Sequence, residues 1–137
     1  MQYSTDTVSP RPFPMSFDFH RGETRLERGS VAAERLFGAD ELVFAGHFPR
    51  NKILPGVMLV EYALYLAEVY LAAQADAREL AEIKTATFLA PVFPGGRVGC
   101  RCEFSAGDGD MLDMKAVLTR AEVICAKVRA SYGRRGG

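Results

Sequence analysis

From Val57 to Ala73 the chain reads VMLVEYALYLAEVYLAA, and its only charges are Glu61 and Glu68. A helix that is apolar all round is stable only when it is buried on every side, so the rest of the chain has to wrap it. At about seventeen residues, with a carboxylate near its start, it reads as a core helix rather than a membrane span. The stretch before it, FAGHFPRNKILPG from Phe44, is punctuated by Gly46, Pro49, Pro55 and Gly56. Such residues fix the backbone of a tight loop. Pro55 suits the helix entrance, where a missing N–H costs nothing. The loop thus carries one histidine, His47, and the buried helix carries one early carboxylate, Glu61.

Composition bounds what the wrapping can be. At 137 residues, the chain is expected to form a single domain with a real core. With 48% apolar and 25% charged residues and a formal net charge of zero, it has an ordinary globular profile. No basic stripe with interleaved aromatics is present, which argues against nucleic acid as a partner. The N-terminal MQYSTDTVSPRPFP has neither a basic n-region nor an apolar h-region. No signal peptide is therefore expected, and the expected location is cytoplasmic. The three cysteines, Cys100, Cys102 and Cys125, lack metal-type spacing. Cys100 and Cys102 alternate along one face of a strand, too close to bridge each other, and read as small buried residues in a reduced compartment.

Residues 1–14 read as a poorly ordered lead-in. Met15 to Phe19 alternates as a strand and ends at His20, which reads as a surface or strand-end histidine. Thr24 to Phe37 is open to helix or strand, with Gly29 in mid-run weakening a helix. After the helix, residues 73–80 read as a polar connection. Strands are expected at Ala81–Leu89, Arg97–Ser105, Met111–Thr119 and Glu122–Tyr132. On the first of these, Thr85 and Thr87 share one face, with Ala86 and Phe88 on the other. Pro91, Pro94 and the pair Gly95-Gly96 make one turn, and GDGD at 107–110 is a strong hairpin signal. Residues 133–137 read as a basic tail. One buried helix followed by strands in hairpin order gives an α+β domain over 15–132, an antiparallel sheet wrapped around one long helix.

The phrase His47-Phe48-Pro49 … Leu54-Pro55-Gly56-Val57 … Glu61 resembles the signature of FabZ/FabA-class 3-hydroxyacyl-[acyl-carrier-protein] dehydratases. A second echo, IKTATFLAPVFPGG, runs from Ile83 to Gly96. The departures are Lys52, where that family usually has proline, Tyr65, where it often has glutamine, and the absent N-terminal His-Arg-x-Pro-Phe-Leu motif. They bear on substrate and pathway more than on chemistry. The resemblance implies the hot-dog fold, with Thr24–Phe37 in a strand position. It also implies that His47 and Glu61 are the catalytic pair, meeting across a dimer interface, and that Gly56 is the oxyanion donor.

The residues suit that chemistry. Dehydration needs a base for the weakly acidic C2 proton and an acid for the departing hydroxide. A neutral imidazole at His47 suits the base. Glu61 on an apolar helix is expected to have its carboxyl pushed up by desolvation and to act as the acid. First-turn N–H groups lack intrahelical partners and carry the positive helix end, so Gly56 N–H is the candidate for stabilising the thioester oxygen. Phe48, Pro55, Val57, Phe88 and Phe93 are candidate substrate-channel residues. Arg50, Lys52 and Arg97 are candidates for docking an acidic acyl carrier protein near the channel mouth.

Glu68, near the same helical face as Glu61, is read as a partner for a sheet residue. The alternatives are a hot-dog acyl thioesterase, which the HFP loop disfavours, and a non-catalytic acyl-binding partner subunit. A homodimer or larger homo-oligomer is expected, and no cofactor or metal, since no nucleotide loop, metal cluster or serine elbow appears.

Overall fold

The computed structural model describes residues 24–37, 53–93 and 95–134. His47, Phe48, Arg50 and Lys52, the expected strand at Met15–Phe19 and the lead-in lie outside the described residues. The elements are β1 (Thr24–Glu27), β2 (Ser30–Phe37), α1 (Gly56–Ala73), β3 (Arg78–Phe88), β4 (Gly96–Ala106), β5 (Leu112–Arg120) and β6 (Val123–Arg134). The strands form one sheet in the order β1-β2-β4-β5-β6-β3, antiparallel throughout. The helix lies against one face of it and touches β2 to β6. This is the α+β, hot-dog arrangement expected from the sequence.

The helix is buried as its composition requires. Seven consecutive residues, Met58 to Leu64, are all buried, so over two turns no side of the helix faces water. The strands supply the wrapping by alternation. On β4, Val98, Cys100 and Cys102 are buried against the helix while Arg97, Arg101 and Glu103 point away. The three cysteines are free and buried, and Cys102 Sγ donates to the Ala63 carbonyl at 3.6 Å.

Three boundaries differ from the sequence expectation. Thr24–Phe37 is a hairpin, because Gly29 takes φ 77° and turns the chain between β1 and β2. The expected polar connection to residue 80 is shorter, because the helix ends in a Schellman motif. Ala75 adopts φ 54°, its N–H donates to the Ala72 carbonyl, and Asp76 N–H donates to the Leu71 carbonyl. That motif normally uses glycine, so the sequence hides it, and β3 starts three residues early at Arg78. Finally, Gly133 and Arg134 of the expected tail pair with Glu79 and Arg78 and prolong β6.

Candidate active site

The start of the helix is tied to the segment after β3. Leu54 N–H donates to the Val92 carbonyl at 2.8 Å, and Leu89 and Ala90 N–H both converge on the Cys125 carbonyl, at 2.7 and 3.2 Å. Between these segments lies an open apolar groove of about 620 Å³, bounded by Gly56, Val57 and Leu59 on one side and by residues 88–92 on the other. Pro55 is the helix N-cap, with ψ 141°, and among the described residues no side chain caps the helix. Met58 N–H donates to the Pro55 carbonyl at 2.9 Å, which leaves the N–H groups of Gly56 and Val57 as the first-turn donors without an intrahelical acceptor at the groove wall. Phe88 packs directly on Gly56: a Cβ added there would lie 2.9 Å from Phe88 Cε1 and Cζ.

Glu61 sits one turn deeper, four residues after Val57 and hence on the same helical face, and is only 1% exposed. The structure thus brings Gly56, Val57 and Phe88 together at the groove, with Glu61 behind them. Pro55 and Phe93 flank the lining. Phe93 is exposed, as are Ile53, Val57, Phe88 and Leu89 around the groove.

Arg97 is placed elsewhere. The β4 alternation puts it on the outer sheet face, in a second groove of about 640 Å³ with Arg25, Arg101 and Glu34, away from the helix entrance. Arg101 there is already engaged with Glu27 at 3.6 Å and Glu103 at 3.4 Å.

Two interior polar residues were not singled out from the sequence. Arg35 is 1% exposed; its Nη1 donates to the Leu36 carbonyl at 3.0 Å and its guanidinium lies 4.6 Å above the Phe37 ring. Phe37 in turn meets Tyr62 edge-on at 6.1 Å. The signal was available, since position 35 is in phase with the apolar Val31 and Phe37 along β2. Tyr132 is likewise 1% exposed. Burial, followed by the nearby Cys102, Glu68 and Glu61, pushes its phenol well above the usual range. Tyr132 therefore shares the interior with the candidate acid. Among the described residues no cluster of three or more His, Cys, Asp or Glu could hold a metal ion.

Residues 23–127 match the ApeI-like family, described as ApeI dehydratase. The 3-hydroxyacyl-[acyl-carrier-protein] dehydratase FabZ of a Nitratiruptor species is 32% identical over 118 residues, covering 77% of this chain and 80% of that protein. FabZ of Petrotoga mobilis is 28% identical over 129 residues, covering 92% and 91%. Among solved structures, a chain of the dehydratase heterocomplex ApeI:P from Xenorhabdus doucetiae superposes with a TM-score of 0.66 at 16% identity, covering 83% of this chain and 99% of that one. A hypothetical thioesterase from Streptococcus pneumoniae, solved with coenzyme A, gives 0.70 at 13%, covering 86% and 91%. These structural likenesses establish the shared fold, which dehydratases and thioesterases both use. The sequence matches separate the two, and the chain belongs to the ApeI-like, FabZ-type dehydratase family.

Proposed function

We propose that the protein removes water from 3-hydroxyacyl thioesters carried on an acyl carrier protein, giving trans-2-enoyl thioesters. The observation that carries this is the buried carboxylate of Glu61, one turn inside a helix N-terminus that walls an apolar groove and that no described side chain caps. An acyl chain fits the groove. The thioester oxygen would take the Gly56 N–H, where charge develops as C2 loses its proton. His47 would accept that proton. Glu61, held away from water, would give its own to the hydroxyl leaving C3. Both carboxylic acid and imidazole are then reset by exchange with water.

The exposed Ile53, Val57, Phe88, Leu89 and Phe93 ring the groove, and β3 is an eleven-residue edge strand of the described sheet. Both features favour a second copy of the chain covering this side, which would enclose the groove as a tunnel. Lys52 and Tyr65, at positions where the FabZ signature differs, favour a specialised pathway of the fatty-acid-like, polyketide or aryl polyene kind.

Mass spectrometry of 3-hydroxyacyl carrier-protein thioesters tests the proposal, using wild type, His47→Ala and Glu61→Ala. Loss of one water by wild type alone supports the dehydration and both roles. Free acid would replace it with the thioesterase reading. Intact substrate with all three folded proteins would replace it with a binding or partner-dependent subunit.

A further inference from the structure

The outer face of the sheet, turned away from the helix, carries a charge pattern that the fold itself does not need. Strand register sets Arg25, Ala32, Arg101, Val117, Lys127 and Thr87 side by side across all six strands, a row without an acid. In the next row Lys115 of β5 stands directly opposite Arg129 of β6. Like charges directly opposite on an antiparallel pair are destabilising. The nearby acids are engaged elsewhere: Glu103, which also faces Lys115, takes Arg101 at 3.4 Å, and Asp113 takes Lys84 at 3.5 Å. Glu82 lies opposite Ser131. Lys115, Lys127 and Arg129 are exposed and form no ion pair among the described residues. In a chain of zero formal net charge, this is a local concentration of positive charge.

Its position ties it to the candidate site. Lys127 is opposite Thr87, the residue before Phe88, and Phe88 packs on Gly56 at the groove. The Lys127 backbone is therefore no more than about 10 Å from that of Phe88. Past Phe88, β3 ends and the exposed Leu89 leads into the second wall of the groove. We propose that Lys115, Lys127 and Arg129 form the docking surface for the acyl carrier protein, whose acidic face lies on the outer sheet beside the end of β3. This rests on the dehydration reading and gives its partner a place. Charge complementarity carries the choice, since an acidic surface relieves the repulsion between Lys115 and Arg129. The substrate arm then crosses the end of β3 into the groove. Arg97, three strands from β3 and opposite Leu36, stands outside this cluster. Exposed charges of this kind steer the encounter, so they act on KM and leave the chemical step alone.

The test compares dehydration of one 3-hydroxyacyl group on the carrier protein and on N-acetylcysteamine, which has no protein to dock, at low and high salt. The proteins are wild type, a triple variant (Lys115→Glu, Lys127→Glu, Arg129→Glu), Arg129→Glu alone, and Arg134→Glu as a control whose native partner is Asp110 at 3.3 Å. The triple variant is expected to raise KM for the carrier substrate about ten- to a hundredfold at low salt. The effect shrinks at high salt. Its kcat and its turnover of the N-acetylcysteamine thioester stay at the wild-type level, and Arg134→Glu leaves the carrier KM unchanged. Arg129→Glu alone turns a like pair into an opposite one, so its melting temperature holds or rises while its carrier KM still increases. That single variant decides the matter if the triple variant does not fold. An unchanged carrier KM, an equal loss on both substrates, or an Arg129→Glu protein that melts lower would overturn the inference while leaving dehydration standing. So would lost binding to anionic lipid vesicles with the carrier KM intact, which would make this face a membrane contact. Wild type that releases no water from either substrate overturns both.

Discussion

Replacing Gly56 with alanine separates the helix entrance as a structural element from the helix entrance as an oxyanion donor. An added Cβ would sit 2.9 Å from Phe88 Cε1 and Cζ and 3.2 Å from Cδ1, so the ring must move. Phe88 is 51% exposed, and the crowded atoms are the outer part of a side chain rather than backbone, so it can swing. If the ring lost all its remaining burial, roughly half of about 200 Å², the cost would be about 2.5 kcal/mol. A displacement of a few tenths of an ångström costs much less, and alanine returns up to about 1 kcal/mol of helix propensity. The net destabilisation is therefore about 0–2 kcal/mol, or a melting temperature lowered by less than about 8 °C for a chain of this size. Activity responds differently, because the methyl group and the displaced ring both occupy the approach to the first-turn N–H groups. Losing one oxyanion donor costs about a hundred- to a thousandfold in kcat. Calorimetry and single-turnover dehydration on the same preparation check both numbers. Full activity at unchanged melting temperature would refute the donor assignment. Loss of the folded state would refute the claim that Phe88 can yield.

Two further outcomes follow from buried phenols and backbone strain. Burial pushes the phenols of Tyr62 and Tyr132 well above their ordinary value near 10. Above about pH 10 the unfolded chain releases protons that the folded protein keeps, so stability falls with rising pH by about 1.4 kcal/mol per pH unit for each phenol. Urea midpoints between about pH 9 and 11 read this slope, and Tyr62→Phe with Tyr132→Phe flattens it. Ala75 holds φ 54° at the helix terminus, a conformation that costs a non-glycine residue about 1–2 kcal/mol. Ala75→Gly is expected to raise stability by about 1 kcal/mol in chemical denaturation, after glycine's larger unfolded-state entropy is deducted. A lower midpoint would show that the strain is absent.

The features legible in the sequence are those that depend on local pattern. The apolar run from Val57 to Ala73 specified a buried helix, and the alternation of Arg97 to Ser105 specified a strand with Cys100 and Cys102 inside. GDGD at 107–110 marked the β4–β5 turn, where Gly109 takes φ 59°. Where the usual turn residue is missing, the boundary moves: alanine closes the helix in the place glycine normally takes, and residues 78–80 of the expected connection are the start of β3. Arg35 shows the opposite failure. A charged side chain is ordinarily exposed, while the phase of Arg35 on β2 places it in the core, held by a carbonyl and an aromatic ring.

By itself, the sequence determined the class of the fold, the helix that anchors it, the family, and the group of residues suited to acid–base chemistry on a thioester. Only the tertiary structure decided which of them share a space. Phe88 meets Gly56 although thirty-two residues separate them in sequence, and β3, which carries Phe88, pairs with β6 at the edge of the sheet, with Phe88 opposite Ala126. Arg97 was carried to the outer face because side chains on a strand alternate, and its neighbours Val98 and Cys100 had to bury. Local propensity is written along the chain. The pairing of strands far apart in sequence is set by the free energy of enclosing one helix, and that pairing is what gave each polar side chain its neighbours.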